Sequence, residues 1–237
     1  MSGHSHFAGI KHRKGINDAK RAKVFTKLAK PITIAAREGG GKAETNFKLR
    51  MAIDKAREFN MPKDNIDRAI KRGTGELKGS EISEVVYEAV GPGNISMLIL
   101  ATTDNKNRAV SEIKTILTKN GGKMGESGSA MWNFEQVGSI LIESAGKDLD
   151  ELELLAIDAG AKDTKIDEGA VNIFTGPKDL QKVKDNLEKE NIKILEAALT
   201  FIPKNVVEID EETRMDYEKL LEALDEQDDV EEIYDNL

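Results

Sequence analysis

The apolar positions follow a helical period over the first third of the chain and an alternation of strands and helices after it. From Asn17 or Asp18, either of which can cap a helix, Ala22, Phe25, Leu28, Ala29, Ile32, Ala35 and Ala36 recur at helical spacing and form one face. Lys20, Lys23, Lys27, Lys30 and Arg37 fall within an arc of about 100° on the opposite side at 3.6 residues per turn. Pro31 is expected to kink or split this helix near Lys30, and Gly39-Gly40-Gly41 to end it. A second helix is predicted from Asn46 to Phe59, with Leu49, Ala52, Ile53 and Ala56 as its buried stripe. Pro62 suits the first position of a third helix. Ile66, Ala69 and Ile70 are its apolar face and Gly73 its end. Residues 73–80, GTGELKGS, have the composition of a linker.

From Glu81 the pattern changes. Val85, Tyr87 and Ala89 alternate, Gly91-Pro92-Gly93 makes a turn, and Ile95–Ala101 is a nearly continuous apolar strand. Val110, Ile113, Ile116 and Leu117 mark a helix ended by Gly121-Gly122. Two short strands are expected at Lys123–Glu126 and Ala130–Glu135. The order then recurs: strand Ser139–Glu143, a helix with Leu149, Leu152 and Leu155, strands near Ala161–Asp167 and Ala170–Phe174, a helix with Leu180, Val183 and Leu187, and strand Ile192–Ile202. That is one βαββαβ unit of the ferredoxin-like kind. The earlier set supplies only β-α-β-β. Its missing helix and strand are found around Tyr217–Leu224 and Val230–Tyr234. The expected fold class is therefore α+β: an N-terminal helical domain plus two ferredoxin-like βαββαβ-type domains, one inserted in the other. The expected boundaries are 1–78, 79–135 with 204–237, and 136–203.

Composition narrows the chemistry. Cysteine is absent, so disulfides, zinc thiolates and cysteine nucleophiles are excluded. The three histidines all lie in the first twelve residues, so no histidine-based triad can form in the body. No apolar run approaches the ~18 residues of a membrane span, and the N-terminus lacks the apolar stretch of a secretory signal. The expectation is a cytoplasmic protein. The net charge of −8 averages two opposite segments. Residues 1–78 hold 19 Lys/Arg against 8 Asp/Glu, and residues 79–237 hold 16 against 35. The split, +11 and −19, points to a nucleic-acid-facing part joined to an acidic body.

Few motifs carry specific chemistry. Arg37–Thr45 holds three glycines and Lys42, but Ala43 follows where a phosphate loop needs Ser or Thr, and a helix precedes it where a strand is required. His4 and His6 lack the partners that complete a metal site. No metal or cofactor is expected. Asp104–Arg108 reads either as a helix cap or as a polar loop in which Asn105, Asn107 and Arg108 hold a phosphate. Ser127 has no histidine partner, so serine–histidine catalysis is excluded. Trp132 is expected in the core or packed between the two α/β units. Asp225–Glu232 lacks an EF-hand's ligand pattern and reads as a solvated acidic surface that repels nucleic acid or competes with it for the basic domain.

The strongest constellation is basic. Lys11, Arg13, Lys14, Lys20, Arg21, Lys23, Lys27 and Lys30 place eight positive charges in thirty residues against one acid, Asp18. Lys63, Arg68, Lys71 and Arg72 add a second cluster. Contacts of this kind grip phosphates without reading sequence, and reversal of Lys20, Lys23 and Lys27 is expected to abolish binding while the α/β domains stay folded.

Gly3-His4-Ser5, Ile10–Lys14, Ala35–Gly40, Asn60–Ile66, Ala69–Gly75, Thr103-Asp104-Asn105, Lys119–Gly122 and Gly125–Ser129 resemble the YebC family, along the whole chain and most specifically in residues 1–135. That family includes bacterial proteins described as transcriptional regulators and a mitochondrial translational activator. The resemblance implies three domains, no catalytic activity, and binding of DNA, with ribosome or RNA association and translational regulation as the alternative. His6-Phe7 stands where the family commonly has Lys-Trp, and Pro31 where it has a helix-compatible residue. The expected contacts are Lys11, His12, Arg13, Lys14, Lys20, Arg21, Lys23, Lys27, Lys30, Lys63, Arg68, Lys71 and Arg72, with protein partners through the acidic α/β domains.

Overall fold

A computed structural model describes residues 18–79, 81–143, 148–167 and 170–237. The arm with His4, His6, Lys11, His12, Arg13 and Lys14, the cap position Asn17, and the side chains of Lys20 and Arg21 lie outside the described residues. The chain forms two compact units, one from residues up to Phe134 together with Pro203–Leu237, the other Glu135–Ile202.

The first unit opens with helices α1 (Asp18–Gly39), α2 (Phe47–Glu58) and α3 (Lys63–Gly73). Leu28, Ile32, Ala35, Ala36, Leu49, Ile53, Ala56, Met61, Ile66 and Ala69 bury one small core among them. Asn46 joins two of these helices. Its Oδ1 accepts from Leu49 N at 3.1 Å and caps α2, while its amide donates to Ala35 O at 2.7 Å and Gly40 O at 2.8 Å at the end of α1. Thr33 Oγ1 donates across to Ala69 O at 3.2 Å. Contrary to the expected break, α1 runs through Pro31 as one helix. Proline removes one helical hydrogen bond, but burial of Ile32, Ala35 and Ala36 on one side and anchoring of Lys27 and Lys30 on the other hold both flanks in helical register.

Strands β1 (Ser83–Val90), β2 (Ser96–Thr103), β3 (Lys123–Met124) and β8 (Val230–Asp235) form the first sheet in the order β3-β1-β2-β8. Helices α4 (Lys106–Lys119) and α7 (Glu211–Asp225) share its apolar core through Ile113, Leu117, Tyr217, Leu220, Leu221 and Leu224. The second unit carries β4 (Phe134–Glu143), α5 (Leu149–Ala159), β5 (Asp163–Asp167), β6 (Ala170–Thr175), α6 (Leu180–Lys189) and β7 (Ile194–Pro203), with sheet order β5-β6-β4-β7.

The two sheets follow one spatial plan, filled differently. In the second, β6 lies between β5 and β4. In the first, the equivalent place between β3 and β2 is taken by β1, which precedes β2 in the chain. The strand expected at Ala130–Glu135 is therefore absent from the first sheet. Met131–Asn133 is a short 3₁₀ turn, and Phe134 begins β4 of the second sheet. The reason is visible at Glu88 on β1. Its carboxylate accepts from the backbone N–H groups of Gly128, Ala130 and Met131 at 2.6–2.7 Å, so these donors are used on a loop rather than a ladder.

Gly73 sits where α3 meets α1. A Cβ there would lie 2.3 Å from Thr33 O and 2.7 Å from Ala36 Cβ. Gly73→Ala is expected to destabilise the helical region by about 1–3 kcal/mol through overpacking, read as a lowered urea midpoint of the helical circular-dichroism signal. Gly79→Ala, whose nearest neighbour is Arg72 Cδ at 3.8 Å, is expected to leave the midpoint unchanged.

Candidate nucleic-acid interface

The lysine face of α1 points inward, onto the turn between α7 and β8. Lys23 donates to Glu226 O and pairs with Asp228 at 3.1 Å. Lys27, only 5% exposed, donates to Asp225 O at 2.6 Å. Lys30 donates to Thr102 O at 2.8 Å, Asp228 O at 2.7 Å and Asp229 Oδ1 at 2.9 Å. Burial pulls the Lys27 ammonium below the usual lysine range, a pull opposed by Asp225 and Glu231. These lysines satisfy carbonyls at the C-terminal end of α7, where a helix dipole favours cations, and in the turn beyond it.

Asp229 organises the junction. It is 3% exposed and accepts from Lys30, from Arg108 Nη2 at 2.9 Å and from Thr103 Oγ1 at 3.0 Å. Burial alone would raise its carboxyl; the Lys30 and Arg108 hydrogen bonds outweigh that and hold it below the ordinary carboxylate range. Arg108 also pairs with Asp104 at 3.0 Å. Asn105 caps α4, its Oδ1 accepting from Arg108 N at 3.1 Å, so the capping alternative describes this loop. Asn107 is exposed. The open groove here, about 560 Å³, is lined by Lys23, Lys27, Lys30 and Arg108 but equally by Asp104, Asp228 and Asp229. With four cations against three carboxylates, its charge is largely neutralised within the chain.

Two expectations are corrected by this geometry. Lys23, Lys27 and Lys30 are not an open phosphate-gripping stripe, because their ammonium groups are engaged by carbonyl and carboxylate oxygens of the same unit. Asp225–Glu232 is not simply a solvated acidic surface. Besides Asp229, Glu231 is drawn in. It is the extra residue of a β-bulge, since Ala101 pairs with Val230 and Leu100 with Glu232. Glu231 Oε1 is buried without a hydrogen-bond partner among the described residues. Burial pushes its carboxyl up to about 8, against the pull of Lys30, Lys27 and Lys55. Glu232 next to it pairs with Lys55 of α2. In sequence these acids look alike; only their partners separate them.

The second basic cluster faces outward. Lys63, Arg68, Lys71 and Arg72 on α3 are all exposed. Arg68 lies along its own helix, donating to Asp64 O and Asn65 Oδ1. Lys63, Lys71 and Arg72 make no ion pair among the described residues.

Trp132 also departs from expectation: it is 61% exposed rather than core. It sits on the 3₁₀ turn pinned by Glu88, with its indole N–H donating to Ser129 O at 2.9 Å. On the other side, Lys204 Nζ donates to Trp132 O at 3.0 Å, and Asn205 N donates to Asn133 Oδ1 at 3.0 Å. Its aromatic bulk predicted burial; the signal that argues otherwise is the glycine- and serine-rich loop before it, whose donors need an acceptor.

Two family models match the chain: the TACO1/YebC protein N-terminal domain over residues 5–76 and the TACO1/YebC second and third domain over residues 82–237. A probable transcriptional regulatory protein of Thermotoga maritima is 52% identical over all of this chain and 93% of its own length. One of Caldanaerobacter subterraneus is 47% identical over all of this chain and 98% of its own. The crystal structure of a conserved hypothetical protein of Aquifex aeolicus superposes with a TM-score of 0.86 at 45% identity, covering 98% of this chain and 96% of that one.

Removing Asp229 takes one acceptor from Lys30, which keeps Thr102 O and Asp228 O, and one from half-exposed Arg108, which keeps Asp104. Asp229→Ala is expected to cost about 1–3 kcal/mol in chemical denaturation. Glu231 has the opposite sense. Its folded carboxyl titrates near 8 against 4.5 unperturbed, so its contribution to stability is fully present below 4.5 and is lost as pH rises to about 8. Glu231→Gln is therefore expected to gain stability relative to the parent across that window and to hold a constant advantage above it. A pH-independent difference in melting temperature between the two proteins would contradict the burial.

Proposed function

The chain belongs to the TACO1/YebC family, and on that premise we propose that it is a non-enzymatic regulator of gene expression that works in the cytoplasm by binding nucleic acid. The outward face of α3, with Lys63, Lys71 and Arg72, is the described part of the interface, and the basic arm with Lys11, His12, Arg13 and Lys14 adds to it. The observation that carries this reading is the contrast between the two basic clusters. Lys23, Lys27 and Lys30 of α1 are consumed within the chain, whereas the α3 cluster stays exposed on the same unit. The names of the relatives support a transcriptional role on DNA. Among the described residues no helix is long and apolar enough to cross a membrane.

A second reading, translational regulation through structured RNA, has its own support. Arg68 and Asn65, the two α3 side chains best suited to base edges, bond to each other. The rest of the face is left to recognise backbone and shape, which is how proteins engage A-form RNA.

The test is salt-dependent binding to a DNA duplex and a folded RNA hairpin of similar length. Affinity is expected to fall steeply between about 50 and 200 mM salt, with each lost phosphate contact lowering the slope by about 0.9 on duplex DNA. The variant Lys63→Glu/Lys71→Glu/Arg72→Glu should lose most of the affinity and most of the slope while its melting temperature is unchanged. Parental affinity in that variant would overturn α3 as the interface. The nucleic acid that retains tighter binding above about 150 mM salt separates the two readings.

A further inference from the structure

We propose that Trp132 is a stacking platform for an unpaired nucleobase, on a site separate from α3. The proposal rests on the nucleic-acid reading above and adds the class of nucleic acid, single-stranded rather than duplex. Trp132 is the one aromatic among the large apolar side chains exposed in the described residues, and exposure of so large a ring has no folding benefit.

Its mount is rigid from both sides. Glu88 accepts three backbone N–H bonds from the loop that leads into the turn. Burial would raise the Glu88 carboxyl, but these bonds hold it low, so it stays a charged acceptor at neutral pH. A Cβ on Gly125 would lie 2.2 Å from Ser129 Oγ and 3.3 Å from Glu88 O, so a side chain there would displace Ser129, and Gly128 takes a φ of 85° that favours glycine. Beyond the ring, Asn133 and Asn205 exchange bonds in both directions, Asn133 Nδ2 donating to Asn205 O at 3.0 Å. A ring held this way loses little freedom on binding.

The chemistry left free selects the ligand. The indole N–H, the polar handle by which a tryptophan usually meets a protein carbonyl, already donates to Ser129 O. What remains available is the flat π surface. The exposed ammonium of Lys204 is tied to the same residue, using one donor on the main-chain carbonyl of Trp132 and keeping two more for a phosphate. An exposed aromatic face on a residue that also anchors a cation fits a base and its own phosphate. Any base has a π face, so the site is expected to tolerate sequence.

Trp132 is the chain's single tryptophan, so its emission reports on this site alone. The full-length protein is titrated at about 50 mM salt with end-labelled oligouridylate, oligothymidylate and a blunt RNA duplex, reading label anisotropy and tryptophan emission together. The expected result is quenching by the single strands and none by the duplex. Trp132→Ala should weaken single-strand binding about 5- to 100-fold, leave duplex binding and melting temperature unchanged, and be partly rescued by Trp132→Phe. Single strands that bind with unchanged emission and parental affinity in Trp132→Ala would overturn the platform and leave the α3 reading standing; that is also the outcome expected if the ring serves a protein contact. No binding of any of the three nucleic acids would overturn the platform and the structured-RNA reading together, leaving the DNA reading to the duplex titration above.

Discussion

Everything in the first unit turns on one buried carboxylate. Asp229 holds Lys30 from α1, Arg108 from α4 and Thr103 from the end of β2 at the entrance to β8. The helical region and the first sheet are thus tied by charge at this point. A buried pair of this kind adds little net stability compared with a hydrophobic contact of the same volume. It does impose register: Lys30 must meet both Thr102 O and Asp229, which sets the rotation of α1 about its axis. The same register explains why Pro31 is accommodated inside a continuous helix.

That junction changes the meaning of the charge split. A +11 segment beside a −19 segment invites a picture of one end attracting phosphate and the other repelling it. Part of the opposite charge is instead used up where the segments meet, through Lys23, Lys27, Lys30 and Lys55 against Asp228, Asp225, Asp229 and Glu232. Glu231 shows what it costs to gather so many acids in one place. In a bulge, one carboxyl is buried with its Oε1 lacking a hydrogen-bond partner among the described residues, and it is driven toward its neutral form. Among the described residues, the basic surface left for a partner is smaller than the composition implies, and α3 carries an exposed cluster of it.

The paired sheets make a related point. Both have the same order of places, yet β1 occupies in the first sheet the place that β6 occupies in the second. Because β1 supplies that strand, the chain after β3 is released from pairing. Its loop donors are then captured by Glu88, also on β1, and the turn bearing Trp132 projects from the sheet. The exposed tryptophan is thus a consequence of strand order.

Local patterns alone determined the helices at 47–58 and 63–73, the two ends of that at 18–39 though not its continuity through Pro31, stripes such as Leu49, Ile53 and Ala56, and the two α/β units with one inserted in the other. These follow from periodicity, capping and glycine stops, which act over a few residues. Asn105 as a cap was legible for the same reason. What the tertiary structure decided was the fate of each charge and of Trp132. Lys27 and Lys71 are alike as letters, and so are Asp228 and Asp229. Whether such a group meets water or a partner depends on residues far along the chain, about 200 positions away for Lys30 and Asp229. No local period encodes that distance, because burial of a charge is set by what the folded chain brings to it.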